Sequence, residues 1–160
     1  MPLTAALPES SSTKVPGARR LLFTPACSRA TDGLVLVSRR HLRSNNSWMH
    51  NVKVLVKGKD RCTLLVHPDD ASRYGIVDGG PAKVSSEAGS LVVTAEVTDA
   101  IKRGVVSLPH GWGHDKVGTR MAVANAHPGV NTNVLSPGGF VDVLSGNAAV
   151  NGIPVSVSPA

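Results

Sequence analysis

Residues 34–51 read Leu-Val-Leu-Val-Ser-Arg-Arg-His-Leu-Arg-Ser-Asn-Asn-Ser-Trp-Met-His-Asn, an apolar run that leads into a long polar segment. The first four residues are branched and aliphatic, which favours a β-strand. The polar segment carries guanidinium, carboxamide, hydroxyl and imidazole groups around a single tryptophan. The pattern predicts a short strand followed by a long connection that is rich in hydrogen-bonding groups.

A second polar segment, His110-Gly111-Trp112-Gly113-His114, follows an apolar run at residues 104–108. The two segments together contain both tryptophans and four of the six histidines, in a chain that is only 3% aromatic. Such residues would be an unusual choice for packing a core. They suit contact with a large, flat, polar and anionic ligand, and we predict that the two segments bind one.

The composition indicates one domain with an aliphatic core. A chain of 160 residues is long enough for a single domain of about 100–150 residues and a tail. The net charge of +6 attracts phosphates, nucleic acid and acidic lipid headgroups without selecting one of them. Cys27 and Cys62 are far apart and form no Cys-x-x-Cys motif, so neither zinc nor an iron–sulfur cluster is predicted. Because nothing requires a disulfide, we expect a cytoplasmic protein.

The chain divides into a leader and one folded domain. Residues 1–30 hold four prolines, a serine tract and no apolar periodicity, which predicts a flexible leader, and residues 31–160 form the domain. Pro154 restricts the last strand to an edge position or a strand start. Residues 120–149 are predicted to be mostly loop. The predicted strands lie at residues 34–37, 62–66, 82–86, 90–98, 104–108 and 153–157.

A short helix is predicted from Asp69 to Gly75, and residues 53–56 form either a strand or a turn of helix. The cluster that begins at His67 is predicted to cap that helix, and Cys62 to be an inert core residue. Short strands, one or two short helices and long loops describe a mainly β protein. A small closed barrel fits them better than an open sheet.

The order of several motifs resembles one domain family. Ser-Arg-Arg and Asn-Asn-Ser-Trp-Met-His-Asn come first, Leu-Val-His-Pro-Asp-Asp-Ala-Ser-Arg-Tyr-Gly follows, and Gly-Val-Val-Ser-Leu-Pro-His-Gly-Trp-Gly-His comes later. From near Gly33 to near Val157 the chain resembles the C-terminal molybdopterin dinucleotide-binding domain of dimethyl sulfoxide reductase-type molybdenum and tungsten oxidoreductases. That family includes formate dehydrogenases and nitrate reductases. The resemblance implies a closed six-stranded double-psi β-barrel that covers one side of a bis-(molybdopterin guanine dinucleotide) cofactor.

The resemblance also implies a set of cofactor-binding residues. The arginines would bind the pyrophosphate through their guanidinium groups. The serines and asparagines would meet the amide and amino edges of the pterin, and Trp48 and His50 would stack on or hydrogen-bond to its rings. The family usually has a Gly-Arg pair after the first strand, where this chain has Ser38-Arg39. The complete set is Ser38, Arg39, Arg40, Arg43, Ser44, Asn45, Asn46, Trp48, His50, His110, Gly111, Trp112, Gly113, His114, Asn133 and Asp142.

Each part of this site has a structural alternative. Residues 39–51 could be a basic solvated loop whose tryptophan plugs the barrel end, and residues 110–114 a packed loop corner. A metal site at His110 and His114 is disfavoured, because a preceding proline and two glycines oppose the helix that would bring both rings to one face. By the resemblance, Asn133 and Asp142 would meet pterin or guanine amino groups, yet such residues are also ordinary in turns.

The expected function is cofactor binding within a larger oxidoreductase. The sequence offers no Ser-His-Asp or paired-carboxylate arrangement. In the family the metal ligand comes from upstream domains, so we expect this chain to supply none and to be catalytically silent alone. The expected partners are those upstream domains or a larger catalytic subunit, with the chain either a C-terminal piece or a small separate subunit. Two rivals remain: a basic β-barrel adaptor for nucleic acid or protein, and a decarboxylase-like enzyme. No apolar run approaches the roughly 18–20 residues of a membrane helix.

Overall fold

A computed structural model describes residues 33–139, 141, 144–148 and 150–160. The predicted leader at residues 1–30 lies outside these described residues. The strands are β1 (Leu34–Arg39), β2 (Thr63–Val66), β3 (Pro81–Ser85), β4 (Ser90–Val97), β5 (Val105–Pro109) and β6 (Ile153–Pro159). The helices are α1 (Lys53–Val56), α2 (Pro68–Tyr74) and α3 (Ala122–Ala126), with a 3-10 helix at Thr132–Leu135.

The six strands close into a barrel in the order β1-β5-β2-β4-β3-β6. Two pairs are parallel, β1 with β5 and β2 with β4, and the other four pairs are antiparallel. Among the described residues each strand therefore pairs with two others, whereas an open sheet leaves its outer strands exposed as edges. The prediction of a mainly β, closed six-stranded double-psi barrel is confirmed.

Aliphatic side chains fill the barrel, as the composition predicts. Alternate residues of a strand point to opposite faces, and the buried set follows that alternation in β3 and β6. Branched residues suit this arrangement because they pack well on a pleated surface. The side chains that are fully excluded from solvent include Leu36, Leu64, Val66, Val84, Val106, Leu108 and Leu135.

The region 120–149 contains more regular structure than predicted. It includes α3 and the 3-10 helix, so the helices outnumber the one or two that were expected. Residues 53–56 form a helix, which resolves the alternative left open by the sequence. Pro154 is the second residue of β6, which pairs with both β1 and β3. Pro154 pairs with Val35 of β1, and the register with β3 begins only at Ser156, so the proline stands near the strand start, one of the two alternatives predicted for it.

The short helix α2 forms as its sequence predicts. The ring nitrogen Nδ1 of His67 accepts a hydrogen bond of 3.2 Å from the Asp69 amide, which caps the first turn. Gly75 ends the helix with a φ of 67°, a left-handed conformation that glycine adopts without strain. The carboxylate of Asp70 accepts a 2.7 Å bond from the Gly104 amide and fixes the start of β5.

The parallel pair β1–β5 positions the two polar segments. Because parallel strands run in the same direction, their carboxyl ends meet at one end of the barrel, where Arg39 is paired with Pro109. The chain leaves both strands at this end as residues 40–52, which we call the first rim segment, and residues 110–114, which we call the second rim segment. The topology therefore brings together two segments that are far apart in sequence.

Candidate binding rim

The two rim segments lie in direct backbone contact. Gly111 has a φ of +88°, and a Cβ built on it would lie 2.6 Å from the carbonyl carbon of Asn46 and 3.1 Å from the Ser47 nitrogen. No side chain fits in that space. Asn45 and Asn46 themselves have positive φ angles of 41° and 59°, a region that asparagine tolerates better than most residues. The glycine thus allows the first rim segment to pass directly over the second.

A chain of hydrogen bonds fixes the protonation of His110. Oδ1 of Asn46 lies 2.8 Å from Nη1 of Arg40, which must donate, and 2.9 Å from Nε2 of His110. Nε2 therefore carries the proton, and Nδ1 accepts from the Ser38 hydroxyl at 2.8 Å. Burial, with a further effect from Arg40, lowers the pKa of His110 and favours this neutral form. Four of the predicted site residues are thus joined in one network.

Three further rings of the rim segments form a cluster, which we call the ring stack: His50 and Trp112 are buried and stacked, and the half-buried His114 meets His50 edge-on. His50 is 1% exposed, and its ring stacks on Trp112 with centroids 3.9 Å apart. Its Nδ1 lies 2.7 Å from Nε2 of His114. Burial and the neighbouring His114 lower the pKa of His50 to about 4. Within the described residues, Nε2 of His50 and Nε1 of Trp112 find no hydrogen-bond partner.

Arg39 turns inward and joins three strands. Its guanidinium donates to the carbonyl of Ser107 on β5 at 2.6 Å and to the carbonyl of Thr63 on β2 at 2.7 Å. It also lies 3.1 Å from the Thr63 hydroxyl, which in turn donates to Glu96 at 2.7 Å. Burial lowers the Arg39 pKa, and Glu96 opposes that effect. The geometry gives this arginine a structural role, so its assignment to a pyrophosphate finds no support here.

Other predicted residues project from the first rim segment. Trp48 is 82% exposed, and Arg40 and Arg43 are also exposed. Asn45 and Asn46 are exposed, whereas Ser44 is buried and its amide donates to the carbonyl of His41. The first rim segment therefore presents two guanidinium groups, two carboxamides and one indole ring to solvent.

The 3-10 helix adds a third component to this end of the barrel. The Thr132 hydroxyl donates to the carbonyl of Pro109 at 2.9 Å, at the end of β5. Gly113 has a φ of +105°, and a Cβ there would lie 2.6 Å from Cβ of Asn131. Asn133 is exposed, next to that contact. Asp142, the last predicted site residue, lies outside the described residues.

Two asparagines that the sequence did not single out connect the rim to α3. Oδ1 of Asn51 accepts hydrogen bonds from the amides of Val123 and Ala124 at 3.0 and 3.2 Å. Nδ2 of Asn125 donates to the carbonyl of His114 at 2.9 Å. No sequence signal marks Asn51 as a helix cap, because the helix it caps lies more than 70 positions further along the chain.

A cavity of about 360 Å³ lies against Trp112. Trp112, Pro128 and Gly129 line one part of it, and Lys59, Asp60 and Arg61 line another. Among the described residues there is no group of three or more histidine, cysteine or acidic side chains that could hold a metal ion. Nor is any helix in that part of the chain long and apolar enough to cross a membrane.

Fold and rim together define a class of protein, a ligand-binding β-barrel domain. One end of a rigid aliphatic barrel exposes cationic, carboxamide and indole groups over a buried layer of rings. Guanidinium groups bind phosphates, and an exposed indole stacks on flat rings. The donors fit a planar, anionic ligand such as a pterin nucleotide.

Residues 34–154 match a family model described as the molydopterin dinucleotide binding domain, and the chain belongs to this family. The chain is 32% identical over 124 residues to the molybdopterin-containing arsenate respiratory reductase subunit ArrA of Chrysiogenes arsenatis. This match covers 72% of this chain and 14% of that protein. The chain is also 38% identical over 60 residues to the dimethyl sulfoxide/trimethylamine N-oxide reductase of Rhodobacter capsulatus, covering 38% of this chain and 7% of the relative.

The fold is also similar to part of a solved structure, acetylene hydratase from Pelobacter acetylenicus. The TM-score is 0.65 at 21% sequence identity, and the match covers 80% of this chain and 18% of that one. The chain thus spans a small fraction of the length of the proteins it matches, and it corresponds to one domain of much larger subunits.

Proposed function

We propose that the rim binds a molybdopterin guanine dinucleotide and that the chain works as the cofactor-binding domain of a molybdenum or tungsten oxidoreductase. The observation that carries this proposal is the combination of exposed Arg40, Arg43 and Trp48 on one rim segment with family membership across the barrel. The reductase names of two relatives support the reaction class. A formate dehydrogenase-like specificity stays a prediction.

The exposed residues are the ones we assign to direct contact. Arg40 and Arg43 would bind the pyrophosphate, and Trp48 would stack on a flat ring. Both hydrogen bonds that the Asn46 side chain makes within the described part of the chain use Oδ1, which leaves Nδ2 as a donor for a ligand. Asn45 and Asn133 offer further carboxamide groups to amide and amino edges. Asp142 keeps the role that the family resemblance implies.

The buried and half-buried predicted residues would act from behind the contact surface. Arg39 ties together the strands that lead to the rim, and the stack of His50, Trp112 and His114 supports the two rim segments. Gly111 and Gly113 permit the close backbone contacts that hold those segments. The exposed groups can then face a ligand, although Arg40 and Asn46 are also bonded to each other.

The redox chemistry would come from the bound cofactor, while this chain binds it, orients it and excludes water from one side. We assign no metal ligand to this domain. The rest of a larger subunit, or a separate catalytic subunit, is the proposed partner, and the chain is catalytically silent without it. Nothing in the described residues favours the nucleic-acid adaptor or the decarboxylase-like enzyme.

A titration of the purified chain with molybdopterin guanine dinucleotide, released from a molybdoenzyme, tests the proposal by calorimetry. We expect binding that weakens in Arg40→Ala, Arg43→Ala and Trp48→Ala. Lys83→Ala serves as the matched control, because Lys83 is an exposed cation on β3, away from the rim. Absence of binding, or equal weakening by the Lys83 variant, would contradict the proposal. Tight, salt-sensitive binding of DNA in a parallel titration would favour the adaptor instead.

A further inference from the structure

We propose that residues 121–130, which we call the clasp, hold the two rim segments together, and that Asn51 and Asn125 are the positioning residues that attach it. The clasp contains α3 and the irregular segment with Pro128 and Gly129. The consequence for ligand binding rests on the function proposed above, whereas the clasp itself is a property of the chain alone.

The first attachment is a helix cap supplied from a distant part of the sequence. The residue at the N-cap of α3, Met121, makes no side-chain hydrogen bond to the helix. Oδ1 of Asn51 instead accepts from the amides of Val123 and Ala124, which is the work of an N-cap side chain. Of the five residues of α3 only Ala124 is buried, so apolar packing contributes little to its attachment. The cap from the first rim segment is therefore a principal contact of this helix.

The second attachment joins the clasp to the second rim segment. Nδ2 of Asn125 donates to the carbonyl of His114 at 2.9 Å. The carbonyl of Pro128 accepts from the amides of Gly113 at 2.7 Å and His114 at 3.1 Å. These three bonds bind the clasp along residues 113 and 114. One short piece of chain is thus hydrogen-bonded to both rim segments.

The ring stack lies between the two attachments. His50 precedes Asn51, and its partner His114 is the residue that Asn125 binds. Gly129 closes over the same rings, since a Cβ there would lie 2.8 Å from Cε3 of Trp112 and 2.8 Å from Sγ of Cys62. Release of the clasp would therefore uncover Trp112 and loosen the contact between the two rim segments.

Asn51 and Asn125 attach the clasp through different atoms of their carboxamide groups, the oxygen of Asn51 and the nitrogen of Asn125. In its contacts with the described residues, Asn51 uses its oxygen as an acceptor, and aspartate keeps that acceptor and adds a charge that a helix N-terminus favours. Asn125 uses its nitrogen as a donor to His114, and aspartate lacks that donor. The same change from asparagine to aspartate is therefore neutral at one position and disruptive at the other. Because a negative charge is also unfavourable near the C-terminus of α3, Asn125→Ala, which removes the donor without adding a charge, is measured beside Asn125→Asp.

Amide hydrogen exchange of α3 measures the clasp directly in the ligand-free chain. We expect exchange of Val123 and Ala124 to rise roughly fivefold in Asn51→Ala, as loss of one N-cap predicts, and to stay near the parent rate in Asn51→Asp. Asn125→Asp should also accelerate exchange. In a Trp48→Phe background Trp112 is the remaining tryptophan, and acrylamide should quench its fluorescence more strongly in the disruptive variants.

Unchanged exchange and quenching in Asn51→Ala, or equal effects of Asn51→Ala and Asn51→Asp, would overturn the clasp. Titration with molybdopterin guanine dinucleotide, in chains that keep Trp48, then tests whether the clasp matters for ligand binding. We expect weaker binding by Asn51→Ala and parent-like binding by Asn51→Asp. If the parent binds no dinucleotide while exchange responds as expected, the proposed function fails and the clasp stands. If Asn51→Ala binds as tightly as the parent, the role in positioning the rim is wrong.

Discussion

His50 and His114 are 64 positions apart in sequence, and their imidazoles share a hydrogen bond of 2.7 Å between Nδ1 of His50 and Nε2 of His114. One ring must donate and the other accept, so the bond exists only while at least one of the two rings is neutral. His50 also stacks on Trp112, so it contacts two residues of the second rim segment. We therefore expect the neutral form of His50 to help hold the two rim segments together.

Stability is expected to fall in mild acid because of His50. Its pKa is about 4 in the folded chain and about 6.5 when unfolded, so between these values the unfolded state binds a proton that the folded state does not. The contribution is complete above the unfolded pKa and is lost as the pH falls through the folded one. Urea unfolding at a series of pH values should show that the free energy of unfolding decreases as the pH is lowered from about 6.5 to about 4.

The variant His50→Gln removes this titration and should flatten that part of the curve. The curve keeps some slope, because burial also lowers the pKa values of His41 and His110. His127→Gln, at an exposed position, is the control for the substitution itself. An identical slope in parent and His50→Gln would contradict the prediction.

Gly111→Ala is expected to destabilise the chain more than Gly118→Ala. The two glycines have nearly the same positive φ, +88° and +90°, so both variants bear the strain of roughly 1–2 kcal/mol that a left-handed alanine costs. Only Gly111 has a backbone neighbour in the way, at Asn46, and such overpacking costs typically about 1–3 kcal/mol more. Urea midpoints measure the difference, and equal losses would show that the rim segments are not in contact there.

Arg39→Lys is expected to lower the free energy of unfolding by roughly 2–3 kcal/mol, because hydrogen bonds from a charged donor are lost. Lysine is a point charge that cannot span the carbonyls of Ser107 and Thr63 as the planar guanidinium does. Arg40→Lys, at an exposed position, should change stability by less than about 0.5 kcal/mol. Denaturant curves of the two variants measure the difference between their free energies of unfolding. Similar values would mean that the Arg39 hydrogen bonds do not stabilise the barrel.

The thiol of Cys62 is expected to be unreactive in the folded chain. Burial raises its pKa to about 11, and the sulfur already accepts a bond of 3.3 Å from the Val130 amide. In a Cys27→Ser background, a chromogenic disulfide reagent at about pH 8 should label Cys62 only as the chain unfolds. Labelling should therefore accelerate in urea in step with the loss of structure. Rapid stoichiometric labelling without denaturant would disprove the burial of this side chain.

The barrel could be predicted from sequence because its signals are local. Valine-rich runs define the strands to within about two residues, the usual uncertainty of strand and helix ends. The hairpin β3–β4 and the helix α2 have their turn and cap residues next to them, at Gly89, His67 and Gly75. The two rim segments could be predicted for the same reason, because each directly follows an apolar run that forms a strand, β1 or β5.

The division of the rim into exposed and buried residues could not be predicted in this way. Arg39 and Arg40 are adjacent and chemically identical, yet one is bound by carbonyls of β5 and β2 and the other points to solvent. Trp48 and Trp112 differ just as strongly, at 82% and 7% exposed. These differences depend on strand neighbours that only the closed barrel brings together. The helix α3 escaped prediction because its cap comes from Asn51.

The place of β6 in the barrel has a consequence for biosynthesis. This strand pairs with β1 on one side and with β3 on the other, so it supplies two of the six seams at once. Until the ribosome has released Ile153–Pro159, the nascent chain carries two open strand edges, which are sites of mispairing and aggregation. Closure of the barrel is therefore a late event that follows synthesis of β6, and the backbone groups of β1 and β3 along those two seams stay unpaired until then.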